Sequence, residues 1–150
     1  MQRIADQLHR AYSGGAWHGP ALRELLAGVS AKQAAARPVA GAHNIWELVL
    51  HITAWKRAVR KRAMGKALEL SPRQDWPPVG KAGAAAWRKT LRALGTAHRQ
   101  LEKTVTRLPE SRSNRIVPGR KHTVYFMLHG LVQHDLYHAG QIALLKKAKK

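Results

Sequence analysis

Apolar residues recur three and four positions apart through most of this chain, in four long stretches that glycine and proline separate from one another. Each stretch lays one apolar stripe along a helix. Strand-like alternation is scarce and no internal repeat is visible, so the stripes have only one another to bury against. An all-α bundle is the expected fold.

The first stretch begins near Gln2 and carries Ile4, Leu8 and Ala11. Ser13-Gly14-Gly15 interrupts it, and Pro20 opens a second piece through Leu22, Leu25 and Leu26. Residues 30–36 fit a short helical turn between Gly28 and Pro38. Asn44 and Glu47 have the spacing of a capping box, followed by the ladder Ile45, Leu48, Ile52, Trp55 and Val59, with Gly65 as the end. Residues 66–80 hold Pro72, Pro77 and Pro78 and form a long connection that is not one helix. A third helix runs from about Gly83 through Trp87, Leu91, Leu94, Leu101, Val105 and Leu108 to Pro109. The fourth begins near Thr123, with Val124, Met127, Leu128, Leu131, His138, Ile142 and Leu145 in register.

At 150 residues the chain has the size of a single domain with a real core, and 45% hydrophobic residues argue against disorder. It has no cysteine, which excludes a disulfide framework, a cysteine nucleophile and thiolate metal ligands. A metal here would need His, Asp or Glu. No apolar run approaches the roughly 18 residues of a membrane span, and the N-terminal MQRIADQLHRAY lacks a signal-peptide core. A cytoplasmic protein is expected. The balance of 27 Lys and Arg against 8 Asp and Glu gives +19, a field that attracts nucleic acid, acidic membranes or small anions without choosing among them. The dense runs Lys56, Arg57, Arg60, Lys61, Arg62 and Lys146, Lys147, Lys149, Lys150 read as solvated helix faces and a frayed tail.

Nine histidines leave room for chance pairs, but His134 and His138 stand out. They lie four apart in the ladder Met127, Leu131, His134, His138, Gln141, Leu145, so both imidazoles fall at or beside the buried stripe, where unpartnered polar groups are costly. His51, in the ladder Leu48, His51, Trp55, Ala58, holds the matching place on the second main helix. Packing those helices together would bring three imidazoles to one point and leave coordination positions open, as in a catalytic site. The same three residues also fit hydrogen-bonded histidines of a helix interface. His129 lies on another face, His43 precedes the cap, and His9, His18, His98 and His122 show no comparable ladder, although His18 could line a pocket.

Gln141, one turn after His138, could orient it, and Asp135 or Glu47 could accept an imidazole N–H. Capping is the favoured role for Glu47, and a surface salt bridge is the competing role for Asp135. Tyr137 reads as packing or surface, all five tryptophans as core or pocket wall, and Gly130 and Gly140 as points of close helix approach.

The segments 42-AHNIWELVLHITAW-55 and 122-HTVYFMLHGLVQHDLYHAGQIALLKK-147 resemble the DinB/YfiT-like family of metalloenzymes (DinB superfamily), through a helix-2 histidine and a HxxxHxGQ signature. The likeness extends more weakly through 16-AWHGPALRELLAGVSAKQAAARP-38 and 74-QDWPPV-79. It implies a four-helix bundle with a long crossover, often dimeric, and places the metal ligands on His51, His134 and His138. The implied ion is nickel or zinc, with iron and manganese as other divalent candidates. The implied chemistry is activation of a thiol or of water on a small substrate, by a transferase or a hydrolase. The strong positive charge is not part of the family pattern. A basic nucleic-acid- or polyanion-binding protein, its metal structural or absent, is the competing function; zinc-finger spacing, an RRM-type aromatic motif and a helix-turn-helix are all missing.

Overall fold

Asparagine and threonine caps start the two helices that carry the histidines. The Asn44 side chain accepts from the Glu47 amide at 2.9 Å, and the Glu47 carboxylate accepts from the Asn44 amide at 3.0 Å, closing the expected capping box. Thr123 accepts from the Phe126 amide at 3.1 Å. In the computed structural model, described over residues 1–148, the helices are α1 (Gln2–Ser13), α2 (Leu22–Leu26), α3 (Ala31–Ala35), α4 (Ile45–Ala63), α5 (Pro72–Asp75), α6 (Ala84–Arg107) and α7 (Val124–Lys147). The long connection thus contains one short helix, α5, opened by Pro72 at its first position. Among the described residues the only β-pairing is an isolated bridge between Ile116 and Thr123, and no helix is long and apolar enough to cross a membrane.

The four long helices form the bundle. α4 packs on α6 and α7, and α1 packs on the same two, so α1 and α4 occupy opposite corners. Trp46 donates to Thr90 and Arg60 to Thr104, which shows that α4 and α6 run parallel. The pairs His9–Glu102 and Tyr12–His98 show that α1 runs against α6. Two parallel neighbours cannot be joined by a tight turn, so residues 64–83 travel back along the bundle as a crossover. That strap carries α5 and Trp76 over the α4 face.

Two apolar clusters fill the interior. One joins Ile4 and Leu8 to Val59, Leu101, Val105 and Leu128; the other joins Leu22 and Leu26 to Trp46, Val49, Ile52, Trp87 and Ile142. Between them lies a polar layer, where Lys56 and Asp135 form an ion pair with both side chains fully buried and His98 is only 1% exposed.

The packing corrects several expectations. Lys56 belongs to no solvated face, Arg62 is buried with its Nε donating to the Leu68 carbonyl at 2.9 Å, and Asp135 makes no surface salt bridge. Lys146 is not frayed: its ammonium donates to the carbonyls of Leu25 and Ala27 at 2.8 and 2.9 Å. Lys149 and Lys150 lie outside the described residues. Trp17 is not core: it is fully exposed, at the edge of an open depression. A Cβ at Gly130 or Gly140 would meet open space, so neither marks a close approach; Gly95 does, its added Cβ falling 3.2 Å from the Tyr12 hydroxyl.

Candidate metal centre

His51 comes from the middle of α4, and His134 and His138 from successive turns of α7. The antiparallel packing of these helices brings the three imidazoles into one cluster, whose candidate ligand atoms all lie within 4.8 Å of one another. His51 Nε2 and His134 Nε2 are 3.0 Å apart. Metal–nitrogen bonds of about 2.0–2.1 Å in a tetrahedral site set ligand nitrogens roughly 3.3 Å apart, so the spacing suits one first-row ion.

Hydrogen bonds at the far side of two rings select the nitrogen left free. His51 Nδ1 lies 2.8 Å from the Asp75 carbonyl and 3.1 Å from its carboxylate, and His138 Nδ1 lies 2.7 Å from Gln141 Oε1. Both acceptors call for an Nδ1–H, which leaves an Nε2 lone pair on each ring. Asp75 also accepts from Trp55 Nε1 at 2.6 Å, which fixes the strap to α4. Burial, reinforced by the neighbouring imidazoles, pushes His51 down to about 4 even though the Asp75 carbonyl favours its cation. Burial likewise lowers His138 against the opposing bond to Gln141. Both rings are therefore neutral ligands at pH 7.

His134 carries the most informative defect. Its buried Nδ1 has no hydrogen-bond partner, nor has the buried Asp135 Oδ1, and the two face each other at 3.9 Å. A small closure would let Nδ1–H donate to the carboxylate and turn the Nε2 lone pair toward the other two rings, the carboxylate–histidine arrangement that orients a metal ligand. Burial by itself would raise Asp135, but the Lys56 charge, with hydrogen bonding, outweighs it and holds the carboxyl below its ordinary value. The acceptor is thus ionised. These residues fit a divalent cation.

Trp76 covers the cluster, its ring stacked on His51 at 3.8 Å and on His43 at 3.6 Å. Beside His134 opens a cavity of about 310 Å³ walled by Trp55, Val59, Phe126, Met127 and Leu131, with Arg62 and Arg120 among its lining. A second depression, of about 430 Å³, reaches His138 past Trp76 and Leu145.

Of the residues singled out from sequence, His51, His134, His138, Gln141 and Asp135 converge here. Glu47 does not: it caps α4 and takes Arg37 and His43. Tyr137 is exposed and borders the depression that reaches His138, whereas His18 borders a separate open depression between α1 and α7, with Val132 and Leu136 on its α7 side. Trp76 is pocket wall, one of the two roles expected of the tryptophans, but nothing in the sequence placed it on His51, and Asp75 was not singled out although both lie in the 74-QDWPPV-79 stretch. Sequence reasoning also passed over Lys56, whose signal was a charge continuing the buried series Val49, Ile52, Val59, Ala63.

Searches among curated proteins and among solved structures return no match. The all-helical architecture and the paired histidine signatures agree with a family model described as DinB superfamily that matches residues 15–142, and the chain belongs to that superfamily.

Proposed function

We propose that His51, His134 and His138 bind one divalent ion, nickel or zinc first, and that the protein is a metal-dependent enzyme acting on a small substrate. The observation that carries this reading is the common orientation of the rings: Asp75 and Gln141 engage Nδ1 of two of them, and Asp135 stands opposite Nδ1 of the third. A set of three imidazole nitrogens leaves positions for solvent or substrate. The bound ion would stabilise the deprotonated form of water or of a thiol near neutral pH, which serves a hydrolase and a thiol transferase alike.

The chain's own groups supply the rest. Trp76 shields His51 from solvent, and Trp55 and Met127 offer an apolar wall to the substrate body. Arg62 and Arg120 provide positive charge at the same cavity, so the favoured substrate has an apolar part and an anionic group. The Arg62 guanidinium is held 5.3 Å over the Trp55 ring and Arg120 pairs with Glu69 at 2.9 Å, which restrains both. The polyanion-binding alternative loses part of its densest basic run, because Lys56 and Arg62 are buried.

The test is elemental analysis of untagged protein beside a His138→Ala variant, after chelation and reconstitution with nickel, zinc, iron or manganese. Metal retained by the parent and lost in proportion by the variant supports the site; turnover screens with thiol and ester substrates then address the reaction. A parent that stays empty with all four ions ends the enzyme reading.

A further inference from the structure

The α1/α6 side of the bundle repeats the construction of the α4/α7 cluster with different residues. His98 and Glu102 lie four apart on α6, and His9 approaches from the antiparallel α1. His9 Nδ1 is 2.8 Å from Glu102 Oε1, His98 Nε2 is 3.7 Å from Glu102 Oε2, and the candidate ligand atoms of the three all lie within 4.8 Å of one another. The second observation is His98 itself. It is 1% exposed, yet neither Nδ1 nor Nε2 has a hydrogen-bond partner, and Nε2 faces the Glu102 carboxylate. Buried polar atoms are nearly always satisfied, so an imidazole orphaned at both nitrogens asks for a ligand.

We propose that His9, His98 and Glu102 form a second divalent-metal site, separate from the His51 cluster and independent of the reading given for it. Two nitrogens and one carboxylate select a first-row ion such as zinc or cobalt over calcium or magnesium, which prefer all-oxygen shells. The charge balance permits it. Lys56 and Arg99 lie near His98, but the Lys56 charge is matched by Asp135, and Glu102 brings a negative charge to the ion. Tyr12 stacks on the His98 ring at 4.0 Å and holds its plane, so Nε2 is oriented before any ion arrives. His9 is half exposed and gives the ion a way in from solvent. The site would tie α1 to α6.

Cobalt(II) titrated into the chelator-treated full chain, followed by its visible absorption, is the test. A His51→Ala/His138→Ala variant, which lacks two of the three imidazoles of the first cluster, is expected to take up one equivalent still. Adding Glu102→Gln or His9→Ala to it is expected to weaken that uptake at least tenfold, with helicity by circular dichroism unchanged. The parent gives a parallel reading should the double variant not fold: two equivalents, falling to one in His9→Ala/Glu102→Gln. No uptake by a folded double variant, a single equivalent in the parent that His9→Ala/Glu102→Gln leaves intact, or uptake that Glu102→Gln does not change would each overturn the proposal.

Discussion

Replacing Lys56 by methionine leaves the Asp135 carboxylate at the centre of the bundle with no cation beside it. Both side chains are fully buried, so solvent cannot stand in for the lost ammonium. Removing one partner of a buried pair costs about 3–5 kcal/mol, a large share of the 5–15 kcal/mol that holds a typical domain together. The carboxylate can relieve the loss only by taking up a proton. Its folded pKa then rises above the unfolded value near 3.9, so the variant is destabilised most at high pH and recovers as pH falls toward 5. Removing both charges in Lys56→Met/Asp135→Leu deletes the desolvation cost together with the attraction, and is expected to restore the parent's stability or exceed it by about 1–4 kcal/mol. Urea unfolding in chelator, at pH 8 and pH 5, measures all three proteins. A single variant that loses less than about 1 kcal/mol at pH 8, or a double variant no more stable than the single one, would refute the assignment of this pair as a closed buried unit.

Further outcomes follow from other parts of the structure. Burial, with the Lys56 charge, pushes His98 down to about 3, so the unfolded chain binds a proton there between about pH 6.5 and 3 that the native state refuses. Stability is lost as pH falls through that window, and the metal-free parent should lose roughly 2 kcal/mol more than His98→Phe between pH 8 and pH 5, read by urea titration. Gly140→Ala, on an exposed part of α7 with open space at its Cβ, should stabilise by about 0.5–1 kcal/mol. Gly95→Ala, crowded by Tyr12 and Arg99, should show no such gain in the same thermal melts. Binding of nickel or cobalt at the His51 cluster should quench tryptophan fluorescence through the Trp76 ring stacked on His51, and Trp76→Phe should remove a large part of the quench.

The helices were legible because their signals are local. Asn44 with Glu47 and the spacing of Leu48, Ile52 and Val59 act within one or two turns, and the structure keeps each of them. The three histidines of the first cluster were legible for a related reason: each lies on or beside an apolar stripe, where a polar ring calls for a partner. The misreadings share a cause. Lys56 was grouped with its charged neighbours and His98 was denied a ladder, although Lys56 continues the Val49, Ile52, Val59 register and His98 the Leu94, Leu101, Val105 register. A charged or polar residue in a buried register declares a buried polar layer; what no single helix declares is the partner, since Asp135 is 79 residues from Lys56. Asp75 and Trp76 were harder still. Their position over His51 depends on the course of the crossover, which follows from α4 and α6 running parallel and from no motif of its own.

That polar layer and the metal cluster meet at one side chain. Asp135 gives one oxygen to Lys56 and presents the other to His134, whose Nδ1 stands opposite. Without Lys56, burial would favour the protonated carboxyl, and a neutral acid is a poorer acceptor for an imidazole N–H. The buried lysine therefore acts on the cluster at second hand, by keeping ionised the group that would turn the His134 ring. Its effect on stability and its effect on metal affinity are separable on this account. Lys56→Met/Asp135→Leu should regain the fold while binding metal more weakly by about 10–100-fold, the loss expected when a ligand's outer partner is removed. Equal metal affinity in parent and double variant, measured by competition with a chelator, would mean that the ion pair serves packing alone and that His134 is oriented by α7 itself.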